Sequence, residues 1–310
     1  MKIIFIHPHK ALLPELEAYI NFFSDYGIDT EIAAPKWSGE IKAEIEWTFM
    51  GTDFVKRNRG GLLIHEYASA SLPRFRGVKD FLKARFNARP DFRIFLNEYV
   101  QKRFRFKDSI PFGFRDMGIP EALIKMEPLP KRQKKYDFIY CGSVGRDRRM
   151  EEVFAAFAKP PLNNHSLLIL SRDYDFYSKK YFNSPNILFQ GPVKPSEVAD
   201  YILDSRFCIN YRPLIEPHLY QTPAKLLEYA ACKTPILTTD SPWVREFCKR
   251  YGCHFYFLKE DLSNLHWDQI CQFSYSYPDL SDWIWEKQIR RSGILEFLQS
   301  RYPYLNFRFL

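Results

Sequence analysis

Short unbroken apolar runs alternate along this chain with longer stretches whose apolar residues recur every three or four positions, and the alternation is played out twice. The first series opens with Lys2-Ile3-Ile4-Phe5-Ile6, which reads as a buried strand. Residues 13–26 then place Leu16, Tyr19, Ile20 and Phe23 at helical spacing, and residues 30–34 return to strand character. A strand at 61–64 ending in His65, a helix at 78–89 and a strand at 92–96 continue the series. Leu129-Pro130-Lys131-Arg132-Gln133-Lys134-Lys135 is charged and proline-bounded, and reads as a linker. The second series runs through a strand at 136–141, a helix at 149–158, a strand at 167–170 and a strand end at 187–189. A helix at 196–203, a strand at 207–211, a helix at 222–231 and a strand at 235–240 complete it. A last amphipathic stretch, 283–301, carries Ile284, Ile289, Ile294, Leu295 and Leu298 and would run back across the first domain. Two such series predict an α/β protein with two Rossmann-like, doubly wound domains facing across a cleft. The expected limits are 1–130 for the first domain, 131–280 for the second and 281–310 for the closing helix.

With 310 residues and 46% hydrophobic content the chain is long enough for two cores. No apolar run approaches the roughly 20 residues of a bilayer span, and the opening strand is too short for a signal peptide. A cytoplasmic protein is expected. Cys141, Cys208, Cys232, Cys248, Cys253 and Cys271 form no C-x-x-C pair and read as reduced core thiols. Charge is unevenly spread. Between positions 54 and 135 there are 20 Lys and Arg against 8 Asp and Glu, a surplus of +12 that exceeds the whole-chain +8. Lys56-Arg57-Asn58-Arg59, Arg74-Phe75-Arg76 and Lys102-Arg103-Phe104-Arg105-Phe106-Lys107 interleave cations with aromatics, a pattern that would attract nucleic acid, an anionic membrane surface or a phosphorylated acceptor. A solvated helix face with inward aromatics would give the same pattern.

The strongest chemical signal lies at 222–231. Thr222 reads as an N-cap and Pro223 as the first helical residue, so the helix would present free amides and its positive dipole end to an anion. Lys225 opposes that dipole unless a negative group, such as a phosphate, sits beside it. Glu228 follows at a distance where its carboxylate would accept two hydrogen bonds from a ribose diol. The expectation is a nucleoside diphosphate at the carboxyl end of the second sheet.

Taken together, these segments resemble the GT-B-fold glycosyltransferases, and in particular the large retaining group known as family 4. The resemblance covers most of the chain and is strongest from 136 to 240. Tyr140-Cys141-Gly142-Ser143-Val144-Gly145-Arg146-Asp147-Arg148 matches the family's strand, glycine and basic loop, with Arg148 at the position of the phosphate-binding lysine and Arg146 able to supply a second charge. Phe189-Gln190-Gly191-Pro192-Val193 matches the loop that meets the nucleotide base, implying backbone contacts at Gly191 and Val193. The 222–231 helix matches the ribose-binding helix and implies that role for Glu228 beside Thr222 and Lys225. Leu62-Leu63-Ile64-His65 resembles the strand whose histidine lies near the donor sugar, and implies a catalytic part for His65. Three positions depart from the pattern: Tyr220 replaces a glutamate, Ser143 an arginine and Lys233 a glycine.

The resemblance implies a hexosyltransferase that moves sugar from a nucleotide sugar to a glycan or lipid-linked acceptor, with retention, in surface polysaccharide or lipopolysaccharide synthesis. No cofactor and no metal are expected, since Asp173-Tyr174-Asp175 has metal-site spacing but a poor setting. Arg148 and Lys225 would stabilise the departing diphosphate. Nucleic acid is not an expected partner. A nucleotide-sugar epimerase, or a non-catalytic anion- or nucleic-acid-binding protein on a degenerate transferase scaffold, are the rival readings.

Overall fold

The structure, a computed structural model, describes residues 1–7, 13–35, 43–49, 61–70, 76–126 and 133–307. The clusters at 56–59 and 74–75, and positions 129–132 of the expected linker, lie outside them. The chain divides into two compact units, Met1–Pro120 with Asp282–Leu310, and Glu121–Ser281.

Among the described residues the first unit holds a six-stranded parallel sheet. Its strands are β1 (Lys2–Ile6), β2 (Asp29–Ala33), β3 (Ile45–Phe49), β4 (Leu62–Tyr67), β5 (Phe92–Phe95) and β6 (Phe112–Phe114). They lie in the order β2-β1-β3-β4-β5-β6. The second unit holds β7 (Tyr136–Cys141), β8 (Leu167–Leu170), β9 (Ile187–Gln190), β10 (Ser205–Asn210), β11 (Ile236–Thr239) and β12 (Tyr256–Leu258). These are again all parallel, in the order β12-β11-β10-β7-β8-β9. Parallel strands covered on both faces need apolar residues on both, which is why β7, β8 and β10 read as near-continuous runs. Each unit has its own core: Phe138, Phe154, Phe157, Leu167 and Ile209 in the second, and Phe5, Tyr19, Trp47 and Ile94 in the first.

Three strands escape the apolar-run criterion. In Ile45-Glu46-Trp47-Thr48-Phe49, alternation rather than an unbroken run is the signal, and β6 and β12 have only three residues each. The closing segment is two helices, Trp285–Arg291 and Ile294–Arg301, because Gly293 between them takes a left-handed φ of 71°. Ile289, Ile294, Leu295 and Leu298 enter the first unit's core. The thiols are free, with Cys141, Cys208 and Cys253 buried; Cys271, expected in a core, is exposed because it lies on the open side of the helix Trp267–Gln272.

The first unit is pinned by a charge network with no access to solvent. Glu66, near the end of β4, accepts from Trp47 Nε1 at 2.9 Å and from Arg115 Nε at 2.8 Å, with a second, shorter contact from Arg115 Nη2. Arg115 also reaches Glu15 at 3.4 Å and donates to the Asp116 carbonyl oxygen at 3.1 Å. Burial pushes the Glu15 carboxyl above its usual range, against the pull of the Arg115 guanidinium. Removing one member of a buried ion pair strands its partners in a low dielectric. Arg115→Met is therefore expected to lower unfolding free energy by about 3–5 kcal/mol in urea denaturation; a loss under about 1 kcal/mol would show that the network is not structural.

Candidate functional site

From β7 the second sheet grows outward through β8 to β9, and the chain then crosses back to lay β10 on the other side of β7. The loops leaving β7 and β10 diverge from that point, and the carboxyl ends of strands at such a switch are where open α/β sheets hold ligands in a crevice. An arginine stands on each loop. Arg148 closes a single 3-10 turn, Arg146–Arg148, after β7, and Arg212 follows the last residues of β10.

Arg212 was not anticipated. Its Nη1 donates to the Gln221 carbonyl oxygen at 2.9 Å and its Nη2 lies 3.2 Å from His218 Nδ1. Among the described residues no carboxylate pairs with it, and the acid beside Arg148 is its neighbour Asp147, at 3.6 Å. Burial and the Arg148 charge bring the Arg212 guanidinium down to about 9. Burial, then Arg212 and Arg148, hold the His218 imidazole down at about 3. His218 is thus neutral at physiological pH, with its Nδ1 lone pair turned to Arg212 and its proton on Nε2. Arg148 Nε, Arg212 Nε, His218 Nε2 and Gln221 Nε2 are all buried without a hydrogen-bond partner. Four unused donors and two cations with little countercharge call for an acceptor-rich anion.

The glycines of the loops have a physical reason. Gly142, directly after β7, has φ +146°, and its N–H donates to the Leu170 carbonyl oxygen at 3.0 Å. Gly191, after β9, has φ +157°, and a Cβ there would overlap the Ser171 carbonyl oxygen. Val193 is half-buried in the same loop. Since β9 is two strands from β7, the loop of Gly191 and Val193 stands about 10 Å from the β7 end along the sheet.

The helix with Lys225 and Glu228 differs from expectation in two ways. It spans Ala224–Ala231 with Pro223 at the capping position and no side-chain cap, so buried Thr222 does not cap it: extended backbone at Pro223 delays the first turn. Lys225 is not an unpaired cation. Its Nζ lies 2.9 and 2.8 Å from the two carboxylate oxygens of Glu228, one turn on, and this pairing relieves the conflict between a cation and the helix dipole. Tyr229 Oη accepts the Cys141 N–H at 2.9 Å and fastens the helix to the end of β7. Burial pushes the Cys141 thiol up to about 12, with Lys225 opposing and Glu228 adding, so the ion pair lies within electrostatic reach of the crevice.

The structure therefore gathers Gly142, Arg148, Lys225 and Glu228 around the crevice. Arg146 is exposed, and its charge is felt at Tyr177, beyond β8, rather than at Arg212. Asp173 accepts a hydrogen bond from Ser143 Oγ at 3.1 Å, and no group of three His, Cys, Asp or Glu among the described residues could hold a metal ion. His65 belongs to the first unit. It is fully buried in β4, between Thr48 of β3 and Arg93 of β5, with Nδ1 3.5 Å from Tyr67 Oη. The ring therefore sits inside the sheet with no surface of its own open to solvent. His7, just after β1, is buried edge-on to Phe49.

No protein-family model and no curated protein matches the sequence. Solved structures do. The fold is similar to AviGT4, a glycosyltransferase involved in avilamycin A biosynthesis, with TM-score 0.56 and 10% identity over 98% of this chain and 97% of that one. It is similar to Anabaena Alr3699/HepE in complex with UDP and glucose, with TM-score 0.59 and 11% identity over 98% and 99%. It is also similar to the Methanocaldococcus jannaschii UDP-GlcNAc 2-epimerase in complex with UDP-GlcNAc and UDP, with TM-score 0.57 and 10% identity over 96% and 100%. At such identities the likeness is one of fold: two Rossmann-like sheets, the GT-B architecture, along nearly the whole chain.

The neutral His218 has a pH signature. In the unfolded chain it takes up a proton near pH 6.5, whereas in the folded chain it does so only near 3. Unfolding is therefore favoured as pH falls from 6.5 toward 3, by up to about 1.4 kcal/mol per pH unit from this group. His218→Gln, which keeps an acceptor for Arg212 but does not titrate, should flatten the stability profile in that window. Identical profiles for the two proteins would mean that His218 is not held neutral.

Proposed function

We propose that the protein is a glycosyltransferase, transferring a hexosyl group from a nucleoside-diphosphate sugar to a glycan or lipid-linked saccharide acceptor. The observation that carries this reading is the pair Arg148 and Arg212 at the switch point of the second sheet, with four buried donors and almost no countercharge. A diphosphate supplies the missing acceptors. As the bond from the anomeric carbon to the diphosphate oxygen breaks, its electron pair leaves with the phosphate, and fixed cations lower the cost of that charge. The acceptor hydroxyl oxygen bonds to the anomeric carbon and its proton leaves with the diphosphate. Two arginines placed at the leaving group do what a divalent ion would otherwise do, so we propose transfer without a metal, and from the family resemblance, with retention and a role in surface polysaccharide or lipopolysaccharide assembly. Gly191 and Val193 would border the base and Glu228 the ribose. His65, from inside β4, would act as a positioning residue.

Epimerisation of the same donor shares the fold but needs carboxylic groups to move protons on the sugar ring. In the first unit, Glu15 and Glu66 are already engaged by Arg115, which favours transfer. Product analysis separates the two, since transfer releases a free nucleoside diphosphate and epimerisation does not.

By calorimetry, Arg212→Gln should weaken binding of a nucleoside diphosphate by about 1.5–3 kcal/mol, the value of a hydrogen bond to a charged group, while binding of the bare nucleoside is unchanged. Equal loss for both ligands, or none, would remove the phosphate role. Glu228→Ala should cost a similar amount for a ribonucleotide and nothing for its 2′,3′-dideoxy analogue; a loss that ignores the diol would assign Glu228 to Lys225 alone. Chelation with EDTA should leave the transfer rate unchanged, and its abolition would require a metal.

A further inference from the structure

The helix Arg76–Phe86 of the first unit is amphipathic the wrong way round. Four of its outward positions are apolar, with Val78 58%, Phe81 64%, Leu82 40% and Phe86 58% exposed, and the exposed Arg85 stands among them. Their spacing, three, four and eight residues from Val78, puts them on one side. The inward side carries charge: Asp80 is 2% exposed and pairs with Arg103 at 3.3 Å. Four large apolar side chains together on one helix face mark a contact surface. Beside the last turn lies a cavity of about 500 Å³ bordered by Lys83, Arg85, Arg89, Arg93, Lys107 and Asp108. Arg93 binds Asp108 through both Nη atoms, at 2.5 and 2.8 Å, and its buried Nε has no acceptor. Five cations thus border a space that holds one carboxylate.

We propose that this face docks on an anionic phospholipid bilayer, with the apolar side chains among the acyl-chain ends and the cavity taking a headgroup phosphate. An apolar face flanked by cations is what an interfacial helix presents, and anionic headgroups are the complementary surface. A second copy of the chain is a poorer occupant, since a two-fold interface brings the same cations together. Contact is peripheral: no described helix is long and apolar enough to cross a membrane. The inference rests on the transferase reading only in that a lipid-linked acceptor would be met at this surface. Vesicle binding is measured without donor or acceptor and so stands or falls separately.

The test is flotation of the full chain with phosphatidylcholine vesicles, with and without phosphatidylglycerol. The protein should float with the anionic vesicles and be largely released by about 1 M salt. Phe81→Ser with Phe86→Ser should keep its melting temperature and nucleotide binding while losing vesicle binding by about tenfold or more. Val78→Ser with Leu82→Ser repeats the test should the first variant not fold. Arg89→Gln with Lys107→Gln should lower affinity for anionic vesicles by about tenfold or more. The proposal is overturned if the wild type stays in the buffer with both vesicle sets, or if folded serine variants float as it does. Self-association of the wild type that the serine variants abolish, without vesicle binding, would give the face to a second copy.

Discussion

Two positive charges held near each other at the mouth of a sheet, with only Asp147, 3.6 Å from Arg148, to offset them, are the constraint around which the second unit is organised. Burial first, and then repulsion from Arg148, depress the Arg212 guanidinium, since loss of water and a like charge both raise the free energy of the charged form. The same field keeps His218 neutral, which turns its Nε2–H into one more donor with nothing to bind. An anion in the crevice converts every one of these costs into an attraction. The repulsion and the unused donors come from one arrangement, and the topology supplies it: β10 returns beside β7, so the loops leaving these neighbouring strands diverge.

That topology explains what the sequence discloses and what it hides. The α/β class and the strands β1, β5, β7, β8, β10 and β11 are legible, because a strand buried on both faces must be apolar at nearly every position. Arg148 is legible because its loop keeps a recognisable glycine and basic pattern. Arg212 is a single cation after a strand and carries no local signature; its importance depends on strand order, which emerges only when the sheet assembles. A hint was present in Asn210-Tyr211-Arg212, a charge placed just past a buried strand at a crossover. Lys225 and Glu228 were legible as residues but not as a pair, although a separation of three in a helix is enough to bring them together. For His65, a local match to a strand-end histidine says nothing about whether the ring reaches the surface, and the fold buries it.

The first unit distributes charge and apolar surface against the usual rule. Inside, Arg115, Glu66 and Glu15 form a buried network that ties Trp47 and the loop after β6 to β4. Outside, the helix Arg76–Phe86 shows its apolar side. Buried charge with its hydrogen bonds satisfied fixes geometry, and outward apolar surface has meaning only against something beyond the chain. The basic bias visible in the composition is compatible with both a solvated face and a docking face; the burial of Asp80 and exposure of Phe81 and Phe86 favour docking.

If Arg148 and Arg212 share one diphosphate, as proposed, crystals of the protein grown with a nucleoside diphosphate should show phosphate oxygens within hydrogen-bonding distance of Arg148, Arg212 and His218 Nε2, at the carboxyl ends of β7 and β10. A nucleotide bound elsewhere, or an Asp or Glu side chain closing onto Arg212 in place of the phosphate, would contradict it.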